Sequence, residues 1–522
     1  MVGGKDLIGW GWPSGPELGK ALEKARLLEM EGLSLAAIRS QLEPLREALT
    51  IKMELREPDS ERLKIALDAD GPAEEANLVA VRRQMEGMVR IPVVEKAALL
   101  PDACPVGNEK TAITVGGAIA VRGAIIPSAH SADICCSMYC SLFEEVGKGT
   151  KEMMDVLQRS TRFGIGGRQP ETQIHHPVLE EKVWRNPFLA GLEKLALVHL
   201  GDQGDGNHFA FLGRIAFSAS QIELLAGAGY GSLGSDIEAG KPYLALVTHH
   251  GSRGLGAQVY KRGQKAAAAH TKRVAKEVPK SGFWLDAETE EGRAYWDALQ
   301  YVARWTRANH QVIHRNFLSN LGKVRALAEF GNEHNFVWRR EDGLYYHGKG
   351  ATPAWEDKQG RPLLGLIPLN MGAPILVVLG RSNEAYLGFA PHGAGRNLSR
   401  SALVRTIASE GEKPDGRTIE QVIAASTTGL DVRWWSGKAD LSETPLAYKP
   451  PTAIIAQIEK YGLATICGMI EPLGSIMAGD FGPAPWKRAK DQLSAKDYRQ
   501  MDHRRERRSS KQHLPDDPDC EE

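Results

Sequence analysis

The stretch Tyr243-Leu244-Ala245-Leu246-Val247-Thr248-His249-His250-Gly251-Ser252-Arg253-Gly254-Leu255-Gly256 decides the fold. Its opening apolar run is short and dense, as expected of a strand buried on both faces. The run then breaks into two histidines, glycines and an arginine. The polar groups therefore sit on the loop leaving the strand, where sites usually form. Comparable runs recur at Ile113-Thr114-Val115, Ala124-Ile125-Ile126 and Ile375-Leu376-Val377-Val378-Leu379, and several such runs lead into Gly-rich segments. A longer helical stretch over 291–317 lies among them. This mixture predicts an α/β (α+β) fold, a single large domain with mixed sheets and its site on strand-end loops.

Outside this body the texture changes. Residues 14–88 read as helical. Leu18, Leu22, Ala25 and Leu28 recur at helical spacing, Leu33, Ile38, Leu42, Leu45 and Leu49 fit a second stretch, and Gly71-Pro72 precede a third from Ala73 to Met88. After Gly479, Lys487, Arg488, Lys490, Arg499, Arg504, Arg505, Arg507, Arg508 and Lys511 precede an acidic end from Asp516 to Glu522. That composition suits a solvated tail, or one that adds RNA affinity. The expected division is a helical extension over 1–88, a main domain over 89–479 and a charged tail over 480–522.

Lysine and arginine total 65, as do aspartate and glutamate, so the formal net charge is zero. Any contact with nucleic acid must come from a local basic surface. No apolar run reaches the length of a membrane-spanning helix, which argues against a membrane partner. The segment from Met1 to Pro13 lacks the apolar core of a signal peptide. Six cysteines, three of them at Cys135, Cys136 and Cys140, make a poor disulfide framework and suit a reducing compartment. The expectation is a cytoplasmic protein.

Five segments could carry chemistry. Asp133 and Cys136 are three residues apart and can converge on one cation in a turn; a thiolate there suggests Zn²⁺, Mn²⁺ or a similar ion. Alternatively, the cysteine is a small core residue. His208 ends the small-residue loop Gly201-Asp202-Gln203-Gly204-Asp205-Gly206-Asn207, and this reads equally as a tight surface turn. His249 sits at a strand end with Arg253 close behind, which suits a metal and phosphate pocket or a plain strand-end turn. His334 is a lone histidine. His392 lies in a small-residue turn ahead of Arg396 and Arg400, which could hold a phosphorylated substrate against the imidazole. Three further features carry no site. Gly229-Tyr230-Gly231-Ser232-Leu233-Gly234 has dinucleotide-loop spacing but follows a helix-like segment; His310 and His314 share a helix face without a zincin glutamate and suit packing; His175-His176 reads as surface loop. No Gly-x-x-x-x-Gly-Lys-Ser/Thr loop occurs, which argues against a P-loop nucleotide enzyme.

In this order, the segments resemble the RtcB-type RNA ligases. The family's Asp-Ile-x-Cys, Gly-Asn-His-Phe, His-x-Gly-Ser-Arg-Gly, His-Asn and His-Gly-Ala-Gly-Arg segments are all present, the last followed by Ser399-Arg400. Leu100-Pro101-Asp102, Lys349-Gly350-Ala351-Thr352, Ile367-Pro368 and Ala447-Tyr448-Lys449 match further landmarks. The resemblance implies that Asp133, Cys136, His208, His249 and His334 ligate two Mn²⁺ ions, with Cys136 bridging, and that His392 attacks the α-phosphorus of GTP. It implies nucleotide contacts at Asn207, Asn370, His392, Gly395, Arg396 and Tyr448. The implied activity joins RNA 3′-phosphate or 2′,3′-cyclic phosphate ends to 5′-hydroxyl ends through a histidine–GMP intermediate, in RNA repair or tRNA splicing. An archease-like activating partner is implied with it.

The sequence also departs from the family. Phe211 stands where a glutamate near the guanine is usual, Asn370 replaces a serine, Ala478 stands where a lysine faces the nucleotide, and Cys104 replaces a frequent histidine. An apolar Phe211 cannot accept hydrogen bonds from guanine, so the nucleotide's identity is open. Two other functions fit these changes: a metal-dependent cyclic phosphodiesterase without ligation, and a non-catalytic RNA-binding repair component.

Overall fold

Asn332 closes the largest sheet of the protein with its side chain. In the computed structural model, which describes residues 2–12, 15–50, 53–107, 109–164, 166–397 and 419–481, that sheet runs Leu364–Pro368, Ile375–Gly380, Ala464–Met477, Phe209–Ala216, Pro242–His250, Ser137–Phe143, Ala326–Glu333. Asp431–Trp434 pairs beside the long Ala464–Met477 strand. The two terminal strands of the series meet where the Asn332 amide accepts from Leu366 N (2.7 Å) and donates to Leu366 O (3.3 Å). A primary amide copies the backbone's donor–acceptor pair, so the sheet curls almost into a barrel with this edge satisfied.

The second sheet has the order Leu63–Ile65, Val94–Cys104, Val115–Arg122, Leu344–Lys349, Asn335–Arg339, antiparallel except for the first pair. The chain passes between the sheets at one residue. Glu333 ends a strand of the large sheet, Asn335 begins a strand of the smaller one, and His334 is the junction.

The predicted strands at 243–247 and 375–379 lie within Pro242–His250 and Ile375–Gly380, buried on both faces as the apolar runs required. Ile113 and Thr114 lead into the Val115–Arg122 strand instead of forming one themselves. The predicted helix at 291–317 is Glu290–Asn320, capped by Thr289, whose hydroxyl accepts from Gly292 N, with Glu290 and Glu291 in its first turn. Tyr295, Leu299, Val302, Trp305, Val312 and Phe317 recur at helical spacing along its buried stripe.

The all-helical reading of 14–88 is corrected between its helices. Pro16–Met30, Leu35–Thr50 and Pro72–Val89 are helices, but Leu63–Ile65 is an edge strand paired in parallel with Val94–Cys104. Leu63, Val81, Met85 and Val89 pack in one core with Val94, Ile119 and Val121. A three-residue strand shows no periodicity, so only its partner reveals it. Among the described residues no helix is long and apolar enough to cross a membrane. The basic tail beyond residue 481 lies outside the described residues.

Candidate active site

Strand register, more than loop shape, gathers the candidate residues. Phe209 pairs with His249, Met138 also pairs with His249, and Ser137 pairs with both His250 and Glu333. His208 immediately precedes the first of these strands, Cys136 precedes Ser137, and His334 follows Glu333. Neighbouring strands lie about 4.8 Å apart, so four side chains widely separated in sequence form one row at a single end of the sheet.

They form two triads with one shared atom. Asp133, Cys136 and His208 bring their donor atoms within 4.8 Å of one another, as do Cys136, His249 and His334. His208 Nε2 lies 2.9 Å from Asp133 Oδ2 and 3.6 Å from Cys136 Sγ. His249 Nε2 lies 3.2 Å from Cys136 Sγ and 3.1 Å from His334 Nε2. The Cys136 sulfur is thus common to both groups.

The rings are aimed by backbone carbonyls. His208 Nδ1 donates to Gln203 O at 2.9 Å and His249 Nδ1 to Asn207 O at 3.1 Å, which leaves each Nε2 lone pair facing inward. Asn309 fastens the Gly201–His208 loop from behind: its Oδ1 accepts from Gly201 N and Asp202 N, and its Nδ2 donates to Asp202 O. Gly251 is required for space, since a Cβ there would lie 2.1 Å from Asp133 Oδ1. Ser131, Cys135 and Arg253 adopt left-handed backbone conformations beside these residues (φ 69°, 61° and 54°). Each such residue costs about 1 kcal/mol or more, a strain that clusters at functional sites.

Electrostatics suits cation binding. Burial pushes the His249 ring down to about 3, reinforced by His208, and pushes His334 well below the usual histidine range. Both therefore present neutral, lone-pair-bearing nitrogens. Partial burial opposes ionisation of Asp133, but the His208 ring and Arg253 outweigh it and hold the carboxyl at about 2. Burial and Asp133 push the Cys136 thiol well up, so its proton leaves only when a cation replaces it. Three inward imidazoles, a carboxylate and one shared sulfur suit metal binding, and among the described residues the buried His334 Nδ1 has no hydrogen-bond partner.

His392 stands beside this row, its ring centroid 4.9 Å from that of His334. It follows the short strand Phe389–Pro391, which pairs with Ala351–Pro353, and it faces Gly350, where a Cβ would lie 2.8 Å from the ring. Asp102, fully buried, accepts from both His392 N–H groups through one oxygen: backbone N at 3.0 Å and Nδ1 at 2.5 Å. With Nδ1 engaged by Asp102, Nε2 is the ring nitrogen left for chemistry.

The sequence reading left Asp102 without a role, although Leu100-Pro101-Asp102 was among the matched landmarks; the structure places it against His392. A separation of 290 residues hides the pair. Lys449 secures it, since the buried ammonium donates to Pro101 O (2.9 Å) and Ala103 O (3.1 Å) on either side of Asp102, and Lys449 N donates to Gly395 O. Gly395 has φ 66°, and a Cβ there would lie 2.1 Å from Asp102 O.

The candidate nucleotide residues divide. Arg396 Nη2 meets Tyr448 Oη at 3.1 Å and Glu443 Oε1 at 2.9 Å, with the guanidinium over the Tyr448 ring. Asn207 contributes its carbonyl to His249. Asn370 folds back on its own loop, its Oδ1 accepting from Gly372 N at 2.9 Å. Phe211 and Ala478 are buried in apolar clusters. Ser399 and Arg400 lie outside the described residues. His310 and His314 have the packing role expected of them. Thr248 Oγ1 meets His310 Nδ1 at 2.6 Å and His314 Nε2 at 2.8 Å, behind the sheet.

The chain also has recognisable relatives. Residues 188–478 match the family model described as tRNA-splicing ligase RtcB. The chain is similar to the tRNA-splicing ligase RtcB of Archaeoglobus fulgidus, 28% identical over 303 residues, covering 53% of this chain and 58% of the relative. It is 26% identical over 458 residues to that of Thermococcus kodakarensis, covering 75% of this chain and 89% of the relative. It is 23% identical over 414 residues to the RNA-splicing ligase RtcB of Escherichia coli, covering 72% and 89%. With more than half of its length matched by the family model, and with the two triads and His392 at one end of its large sheet, this chain belongs to the RtcB family as a divergent member.

Proposed function

We propose that this chain is an RNA ligase that joins a 3′-phosphate or 2′,3′-cyclic phosphate end to a 5′-hydroxyl end through a nucleotide held on His392. The observation carrying this reading is the pair of ligand triads sharing Cys136, with an imidazole oriented by a buried carboxylate beside them. Asp133, Cys136 and His208 would hold one divalent cation and Cys136, His249 and His334 a second, manganese by the family resemblance. Bound there, such ions would neutralise phosphoryl oxygens.

The chain's own residues supply the rest. His392 Nε2 attacks the α-phosphorus of a nucleoside triphosphate and pyrophosphate leaves. Positive charge develops on the ring, and Asp102 stabilises it through Nδ1–H. The nucleotidyl group passes to the RNA 3′-phosphate, which frees His392; the 5′-hydroxyl then attacks the activated phosphate and the mononucleotide leaves. Arg396 and Tyr448, held by Glu443, form the polar wall for the nucleotide. GTP is the nucleotide the resemblance implies, and an archease-like partner the activator. The base-side positions Phe211 and Ala478 are apolar, so selectivity for guanine has lost two polar contacts.

Those same two positions favour a second reading, opening of cyclic phosphate ends without ligation. One experiment separates the two. Incubation with Mn²⁺ and α-labelled GTP or ATP should give an acid-labile, alkali-stable protein adduct that His392→Ala abolishes. Absence of an adduct with every nucleotide, alongside metal-dependent opening of cyclic ends that survives His392→Ala, would establish the second reading instead.

A further inference from the structure

The helix Glu290–Asn320 buries an apolar stripe, but it also turns a polar line toward the large sheet. Arg307, His310 and His314 stand at i, i+3 and i+7, on one face. Each contact along this line falls beside a candidate metal ligand. Arg307 Nη2 meets Glu333 Oε1 at 3.2 Å, one residue before His334. Asn309, next to His310, fastens the loop that ends at His208. His310 Nδ1 meets Thr248 Oγ1 at 2.6 Å, one residue before His249. Its Nε2 meets Ser137 Oγ at 3.0 Å, one residue after Cys136. A single helix thus reaches Cys136, His208, His249 and His334 through their neighbours in the chain.

The histidine contacts continue as one hydrogen-bonded chain. His314 Nε2 shares the Thr248 hydroxyl at 2.8 Å, and His314 Nδ1 meets Ser141 Oγ at 2.8 Å. Ser141 Oγ then donates to Oε1 of Glu329, an exposed residue, at 2.9 Å. Ser137, Thr248, Ser141, His310 and His314 are all buried, and none of their side-chain polar atoms is left without a partner.

The carboxylate at the end gives this chain a direction. An ionised carboxylate only accepts, so Ser141 donates to it and accepts from His314 Nδ1–H. Burial keeps both rings neutral, with His314 pushed down to about 3 and His310 well below the usual histidine range, so each has one N–H to give. His314 Nε2 then accepts from Thr248, Thr248 accepts from His310 Nδ1–H, and His310 Nε2 accepts from Ser137. The other contact of Ser137, His250 O, is longer at 3.5 Å.

The chain crosses the strands Ser137–Phe143, Pro242–His250 and Ala326–Glu333. Apolar packing alone holds strand register loosely, because a slip of two residues keeps the same face inward. A hydrogen-bonded line tied to one helix is satisfied in one register only.

We propose that this helix is the template of the metal row. His310, His314 and Thr248 are positioning residues that keep Cys136, His249 and His334 at the spacing cations need, and Glu329 sets the direction of the chain from the surface. The inference rests on reading the triads as a metal site.

The test uses the full chain, stripped of metal and titrated with Mn²⁺ by calorimetry, with melting temperature measured alongside. Thr248→Val removes the hydroxyl that joins the two rings and keeps the side chain's shape. It should weaken Mn²⁺ binding at least tenfold, the scale of a lost contact behind a metal ligand. Thr248→Ser keeps the hydroxyl and should restore the affinity. A lower melting temperature with unchanged Mn²⁺ affinity would mean a merely structural role and would overturn the template. Should Thr248→Val fail to fold, Ser137→Ala removes only the last link and should weaken Mn²⁺ binding in the same direction; unchanged affinity there overturns the template equally. Nitrogen-15 spectra of the histidine-labelled chain, assigned by single substitutions, should show both His310 and His314 protonated at Nδ1. In Glu329→Ala the chain is free to reverse, so His314 should become a mixture of the two forms. An Nε2–H on either ring of the unchanged chain, or a spectrum unaltered by Glu329→Ala, would overturn the part given to Glu329. An unchanged chain that takes up no Mn²⁺ would overturn the metal reading, and the template with it, whatever the spectra show.

Discussion

Asp102→Asn is the substitution that most directly probes how the site works. One oxygen of this fully buried carboxylate accepts both the backbone and the ring N–H of His392. The amide has the same shape and still offers an oxygen, so the loop geometry should survive, but the charge is gone. A hydrogen bond to a charged acceptor is worth about 1 kcal/mol more than a neutral one. Only the ring bond strengthens as charge develops, since the backbone bond is the same before and during attack, so the barrier should rise by about 1 kcal/mol and the rate fall roughly fivefold. Asp102→Ala removes the ring bond altogether, about 1.5–3 kcal/mol, and should slow the step roughly tenfold to a hundredfold. Because the charge Asp102 stabilises develops only as His392 attacks, the loss should fall on the rate and not on nucleotide binding. Single-turnover adduct formation at saturating nucleotide measures it, with the nucleotide dissociation constant determined separately. An Asp102→Asn protein that forms adduct within threefold of the unchanged rate would refute the role assigned to the carboxylate.

Two further outcomes follow from the metal row. Gly251→Ala should place a methyl group 2.1 Å from Asp133 Oδ1 and evict the carboxylate, so elemental analysis after Mn²⁺ loading should find close to one equivalent fewer than in the unchanged chain. Cys136, its thiol pushed well up by burial and by Asp133, must release a proton when a cation binds, so affinity rises with pH. Between about pH 6 and pH 8 the rise should approach tenfold per unit. Calorimetry in buffers of different ionisation enthalpy should detect that proton, and Cys136→Ser should abolish it.

Much of the site could be read from local sequence because its residues follow recognisable breaks. His208 and Cys136 stand just before strands, His249 at the end of one, and glycines that must stay bare, such as Gly251 and Gly395, surround them. Residue type and order named the ligands and His392. His334 entered that set only through the resemblance, since a lone histidine in sequence carries no sign of the strand register that places it in the row. Nor could residue type and order assign a role to Asp102, whose meaning depends on a contact across 290 residues.

The boundaries of the body divide in the same way. Periodicity alone predicted the 291–317 helix and the strand over 243–247, because burial of one stripe or of both faces is imposed on residues adjacent in sequence. The Leu63–Ile65 strand and the closure of the large sheet by Asn332 depend on partners far along the chain, and a segment of three residues or a single amide holds no pattern of its own. The sequence by itself determined which atoms are available: a carboxylate, a thiol, three imidazoles for the triads and a fourth, His392, beside them. The tertiary structure set the Cys136 sulfur within both triads, as the resemblance implied, and it alone put one buried carboxylate oxygen against the His392 ring. Those relations are distances between strands, and antiparallel pairing sets them after the chain has folded.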